Sequence, residues 1–250
     1  MSSLLEVSGL SKSFGGVRAV SDVSFDVQAG ELMALIGPNG AGKSTCFNML
    51  NGQLRPDRGE VRLNGQNLVG MKPRDVWRLG VGRTFQITAT FASMTVRENV
   101  QMALMSHQGL LRNGWIRAAT QCVEEADTLL DRVGMRAQGD RSCAVLAYGD
   151  LKRLELAIAL ANQPRLLLMD EPTAGMGPRE RLELMALTAS LVREAGVAVL
   201  FTEHDMDVVF RHADRMMVLN RGVLIAQGRP DAVRANEEVQ RVYLGSRSAH

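Results

Sequence analysis

The sequence predicts an α/β fold with a mostly parallel core sheet, an antiparallel β subdomain near the N-terminus and an inserted α-helical subdomain. Three observations predict it. Apolar runs alternate with helical stretches after Pro164, a glycine-rich loop joins a short apolar run to a helix-like segment, and the middle of the chain has helical periodicity. No internal repeat or low-complexity linker divides the 250 residues. A single domain is therefore expected over 1–250, with the core and β subdomain in 1–87 and 161–250 and the helical subdomain in 88–160.

Near the start, Val23, Phe25 and Val27 alternate with Ser24, Asp26 and Gln28, the period of a half-buried strand. Glu31–Ile36 is a short apolar run that enters the glycine-rich loop, and a helix is expected from Lys43 to Asn51, stopped by Gly52. Glu60–Leu63 runs into Asn64-Gly65, a pair suited to the positive φ angles of a tight hairpin. Thr95 and Glu98 have capping-box spacing and open a helix to about His107. Ala119, Val123, Ala126, Leu130 and Val133 recur at helical spacing, predicting a second amphipathic helix. After Pro164 the expected order is strand 165–170, helix Pro178 to Ala195 closed by Gly196, strand 197–202, a short helix and strand 216–219. Such alternation implies a largely parallel sheet covered on both faces.

Composition narrows the function. A hydrophobic share of 46% is enough for a sizeable core, which argues against disorder. The formal charge is +2 and the basic residues are scattered, so no nucleic-acid partner is expected. Cys46, Cys122 and Cys143 are odd in number, far apart and without C-x-x-C spacing, which suits a reducing cytosol. No apolar stretch approaches the ~18–20 residues that cross a bilayer, and the first residues lack the pattern of a secretory signal. Any membrane role is expected to be peripheral.

Gly37-Pro38-Asn39-Gly40-Ala41-Gly42-Lys43-Ser44 fits G-x-x-x-x-G-K-[ST] in full, between a predicted strand and a predicted helix. Glycines let the backbone curl so that its N–H groups and the positive end of the following helix point at phosphates. Lys43 supplies a mobile cation for the β and γ groups, Ser44 a hydroxyl for Mg²⁺, and Thr45 closes the cradle. The chemistry is that of binding a nucleoside triphosphate with Mg²⁺.

Leu166–Asp170 is an apolar strand ending in two acids, Asp170 and Glu171. Carboxylates at the carboxyl end of a parallel strand face the ligand crevice, here expected beside the strand of the phosphate loop. Asp170 is then a metal residue acting through water, and Glu171 the group that orients or deprotonates the attacking water. His204 follows the next strand at the same edge, where a neutral imidazole can donate to the γ-phosphate. Gln86 ends a strand-like piece, 81–86, ahead of the helical subdomain, placed to sense the metal. A lone histidine, glutamine or Asp-Glu pair is commonplace; position gives these their weight.

Phosphate loop, glutamine before a helical insert, short glycine motif, apolar strand ending Asp-Glu and then histidine, in this order, resemble the ABC ATPase family over nearly the whole chain. The resemblance implies that Phe14 stacks on adenine, where the residue alone could equally be a core phenylalanine. It also implies that Leu146-Ala147-Tyr148-Gly149-Asp150, opening a helix 151–161, is the signature motif that covers the γ-phosphate held by a second subunit. Ala147 and Tyr148 replace the usual serine and glycine, Asp150 the usual glutamine, and Gly177 a usual aspartate. The trans contact therefore leans on backbone amides, and Asp150 either weakens the sandwich or caps its helix.

Finer marks are Phe14-Gly-Gly, Arg83-Thr-Phe-Gln86, the run from Met94 to Asn99, Thr173-Ala-Gly, Glu203-His-Asp-Met206, Ala213-Asp-Arg215 and Tyr243-Leu-Gly245. Together they resemble the ATP-binding subunits of branched-chain amino-acid importers. That resemblance implies two transmembrane permease subunits, a second ATPase subunit (identical or paralogous) and a periplasmic binding protein reached through the permeases. It also implies a place on the cytoplasmic face of a bacterial inner membrane. An exporter ATPase, as in lipopolysaccharide export, uses the same parts. A non-transport ATPase of DNA repair or translation is disfavoured, lacking a long coiled coil or a second cassette.

Overall fold

The computed structural model describes residues 3–84, 90–110 and 120–244, with Tyr243 and Leu244 described by their backbone alone. The elements in chain order are β1 (Leu5–Phe14), β2 (Val17–Val27), β3 (Leu32–Ile36), α1 (Lys43–Leu50), β4 (Arg58–Leu63), β5 (Gln66–Asn67), α2 (Pro73–Arg78), β6 (Val81–Thr84), α3 (Val96–His107), α4 (Val123–Arg132) and α5 (Tyr148–Leu160). There follow β7 (Leu166–Asp170), α6 (Pro178–Ala195), β8 (Ala198–Thr202), α7 (Met206–His212), β9 (Arg215–Asn220), β10 (Val223–Gly228), α8 (Pro230–Ala235), α9 (Glu237–Val239) and a π-helical turn, Gln240–Leu244.

Two sheets form. The first is antiparallel, order β2-β1-β4-β5, and its hairpin turn uses Asn64 and Gly65 at φ 48° and 77°, as their identities predict. The second has the order β10-β9-β3-β8-β7-β6, parallel except for β10 against β9. One expectation fails here: β7, which ends in Asp170, does not lie beside β3, because β8 runs between them. Sequence order gives no hint of this, since β8 is the later strand.

Strand alternation divides the core into two layers. Leu32, Ala34 and Ile36 of β3 join Leu167, Met169, Val199 and Phe201 in a cluster shared with α3, α4, α5 and α6. Met33 and Leu35 face the other way, with Leu166, Leu168, Leu200 and α1's Cys46, Phe47 and Leu50, onto the antiparallel sheet. Phe47 and Phe201 are fully buried, each contributing about 2–3 kcal/mol of transfer free energy. Arg215 fastens the sheets, its Nη1 lying 3.3 Å from Asp26 of β2 and 3.2 Å from buried Glu31. The hydrogen bond from Arg215 holds the Asp26 carboxyl below its usual range, whereas burial pushes that of Glu31 up.

In the helical region, Thr95 caps α3 with the reciprocal bonds of a capping box, Thr95 Oγ1 accepting from Glu98 N–H and Glu98 accepting from Thr95 N–H. Arg97 ties α3 to Asp127 of α4 at 2.6 Å and also pairs with Asp140. The predicted second helix is realised as α4; Ala119, assigned to it, lies outside the described residues. α2, β10, α8 and α9 had no sequence assignment, being short elements without a long apolar period. Cys46 and Cys143 are buried and Cys122 half-buried, all unbridged.

Candidate active site

The phosphate loop is shaped by close approach of the backbone. A Cβ on Gly37 would stand 2.2 Å from Leu219 O, and one on Gly42, at φ +106°, 2.3 Å from Ala19 O. Only glycine lets the loop lie this close to β9 and β2. Gly222 N–H donates to Ala41 O, which ties the β9–β10 turn to the loop. α1 begins directly after Gly42 with no side-chain cap and no acid in its first turn. Among the described residues, the N–H groups of Gly40, Gly42, Lys43, Ser44 and Thr45 have no hydrogen-bond acceptor. A helix end with orphan amides and no competing acid is built for an anion.

Lys43 is 8% exposed, and its ammonium donates to Gly37 O (2.7 Å) and Pro38 O (3.2 Å). Burial pushes its pKa down, while Glu171 and Asp170 nearby pull it back up. An arriving phosphate offers the buried cation a better partner than two carbonyl oxygens.

Asp170 and Glu171 leave β7 together and point to different partners. Asp170 Oδ1 accepts from Thr202 Oγ1 at 2.7 Å, and Oδ2 lies 3.3 Å from Arg83 Nη2. Arg83 also donates to Asn48 and Gln53, joining β6 to α1 and the turn after it. Glu171 sits at φ +49°, a left-handed conformation that costs an ordinary side chain about 1 kcal/mol or more. Its N–H donates to Thr202 Oγ1 (3.0 Å), and its Oε1 lies 2.9 Å from His204 Nε2. A carboxylate only accepts, so Nε2 carries the hydrogen of that bond. The predicted acid and histidine are thus brought into direct contact.

Thr202 and Glu203 have partners here that the sequence does not assign. Glu203 is 4% exposed and its carboxylate accepts four hydrogen bonds, from Thr173 N–H and Oγ1 and from the N–H groups of His204 and Asp205. Arg181 adds a parallel tie, donating to Met176 O and to Asp205 Oδ2. The signal available was a polar residue in or just after an apolar strand, which does not name its partners.

Phe14 ends β1 at 51% exposed, with the Lys12 ammonium 5.8 Å from its ring centroid. It is no core residue. The β1–β2 hairpin pairs it with Val17, two residues before Ala19, whose carbonyl abuts Gly42. Gln86 lies outside the described residues, as do Phe85, Gly245 and the side chains of Tyr243 and Leu244.

The signature helix begins earlier than expected, at Tyr148 and not at Leu151. Ala147 is its N-cap without a side-chain bond, and Asp150 lies inside the first turn, so Asp150 is not the cap. Tyr148 is 44% exposed and leans on the loop after Glu171, where a Cβ on Gly175 would meet its ring at 3.3 Å. Lys152 Nζ lies 5.5 Å from the Tyr148 ring centroid and pairs with Glu155 at 3.0 Å, both buried. No hydrogen bond among the described residues joins 146–150 to the phosphate loop. Gly177, at φ −66°, is the N-cap of α6, and its N–H donates to Glu180 Oε2 at 3.1 Å.

Comparison with known proteins agrees with this geometry. Residues 20–174 match the ABC transporter family, and residues 223–249 match the branched-chain amino acid ATP-binding cassette transporter family. The chain is 41% identical to the high-affinity branched-chain amino acid transport ATP-binding protein LivG of Escherichia coli (strain K12), over 97% of this chain and 98% of the relative. Identity is 40% to BraF of Pseudomonas aeruginosa, covering the same shares of each chain. The ADP conformation of MJ1267, an ATP-binding cassette of an ABC transporter, superposes with a TM-score of 0.87 at 29% identity, covering 98% of this chain and all of that one. The chain belongs to the ABC transporter family, as an ATP-hydrolysing cassette of its branched-chain amino acid branch.

Proposed function

We propose that this ATPase powers import of branched-chain amino acids or related small solutes, hydrolysing ATP at sites shared between two cassettes. Among the described residues no helix is long and apolar enough to cross a membrane, so the work is delivered to separate transmembrane subunits. Two permeases, fed by a periplasmic binding protein, are the expected recipients, and the cassette sits on their cytoplasmic face. The second cassette is a copy or a paralogue.

One observation carries the reading. Lys43, Asp170, Glu171 and His204 gather at one sheet edge beside orphan amides, while the signature end of α5 is exposed and tied to its own post-Glu171 loop. The γ-phosphate thus has a floor in one chain and needs a lid from another. Phe14 offers an exposed ring for adenine. Ser44 and Asp170 would hold Mg²⁺, with Gln86 completing the set. The ion supplies charge neutralisation on the phosphate oxygens. The residues fit it: a free hydroxyl at the helix start and a carboxylate held at both oxygens.

Glu171 orients the water and takes its proton as the oxygen attacks the γ-phosphorus in line, while the bond from that phosphorus to the β–γ bridging oxygen breaks and ADP leaves. His204 holds Glu171 before nucleotide arrives, and its Nε2–H is the donor available to the γ-phosphate when that contact opens. Glu171→Gln keeps the shape and removes the base. It should leave ATP binding intact and slow turnover about 10²–10⁴-fold, trapping ATP-loaded dimers. Wild-type turnover in that variant would overturn the assignment.

A further inference from the structure

We propose that Thr202 is a positioning residue for both carboxylates, one hydroxyl setting the metal-facing Asp170 and the water-facing Glu171 at once. The inference rests on the reading of those two acids given above. β8 is the strand inserted between β3 and β7, and Thr202 is its last residue, in register with Asp170 on one side and with Leu35 on the other. Its side chain is fully buried at the point where the phosphate-loop strand and the acid strand would otherwise face one another.

The directions of its bonds are fixed. Glu171 N–H can only donate, so Oγ1 accepts there at 3.0 Å, and the hydroxyl proton goes to Asp170 Oδ1 at 2.7 Å. With Arg83 at Oδ2, Asp170 is gripped at both oxygens and its plane is set. The bond to the Glu171 amide fastens the residue that stands at φ +49°. That unfavourable turn separates the two carboxylates, sending Asp170 back toward β6 and Glu171 out to His204. Valine in place of Thr202 would fill the space, leave the amide unpaired and release Asp170 to rotate about its side-chain torsions.

The test uses the cassette in its assembled transporter, with Thr202→Val, Thr202→Ala and Thr202→Ser beside Glu171→Gln and Asp170→Asn. Loss of hydrogen bonds to charged groups predicts that the Val and Ala variants lose about tenfold or more in turnover at saturating ATP. The Mg²⁺ concentration for half-maximal turnover should rise, ATP binding measured without Mg²⁺ should match wild type, and serine should restore most of the loss. If valine fails to fold, the smaller alanine carries the same comparison against serine. Wild-type turnover and Mg²⁺ requirement in Val or Ala, or a serine variant as impaired as valine, would sink the proposal. Should Glu171→Gln and Asp170→Asn also run at wild-type rate, the reading of the whole site falls; should they be impaired while valine is not, the hydroxyl's role alone falls.

Discussion

The two glycine motifs of this chain make an instructive pair. The phosphate loop is finished within its own protomer: its backbone is wedged against β9 and β2, several of its amides have no acceptor among the described residues, and its lysine is buried and already paired. The signature motif is a helix end without a side-chain cap, with an exposed tyrosine at its head and an acid in its first turn. One is a finished socket, the other, on the proposed reading, a plug for a socket in a second cassette. A motif that needs only local backbone can be complete in one chain, whereas one that serves a neighbour must be left open.

Four substitutions sharpen or break that contrast. Lys43→Ala should have the largest effect, removing the buried cation and weakening ATP binding by the isolated chain about 10- to 100-fold, the value of a hydrogen bond to a charged group. Calorimetric titration reads it directly, and unchanged affinity would refute the socket. Since burial already lowers the Lys43 pKa, affinity in the wild type should also decline on the alkaline side sooner than for a solvated lysine, as the ammonium loses its proton.

Gly37→Ala comes next, because its Cβ has nowhere to go beside Leu219 O. A loss of about 1–3 kcal/mol in unfolding free energy is expected, with ATP affinity falling alongside. Tyr148→Ala should act the opposite way round. Binding by the isolated chain stays at wild-type level, while turnover in the assembly drops about tenfold, or 1.4 kcal/mol. Weakened ATP binding by the isolated chain would erase the distinction between plug and socket. Asp150→Asn is the mildest, removing an anion from the helix end proposed to meet a second cassette's phosphates. It should tighten nucleotide in the assembled dimer by about two- to fivefold, the scale of a helix-end charge, with the gain shrinking in high salt.

What could be read from the sequence follows the same division. The phosphate loop, the Asn64-Gly65 hairpin and the Thr95–Glu98 cap are contiguous, and their chemistry is written in neighbouring letters. Thr202 could not be assigned because its role depends on strand order, which places β8 between two strands that precede it in sequence. Glu203 finds Thr173 thirty residues away, a pairing that no periodicity encodes. α5 begins three residues before the predicted Leu151 because Tyr148 and Gly149, poor helix formers, are held in the first turn by packing against Gly175 and Glu180.

Glu203 has a mechanical consequence. With its carboxylate sunk among four donors from two loops, the segment that runs on from Glu171 and the segment that carries His204 are riveted at one atom cluster, and Arg181 supplies a second rivet. Were a second cassette to push on the outer segment, these bonds would leave little slack between the two to absorb it. It would arrive at the imidazole, one residue from the rivet, and so at the acid that the imidazole touches.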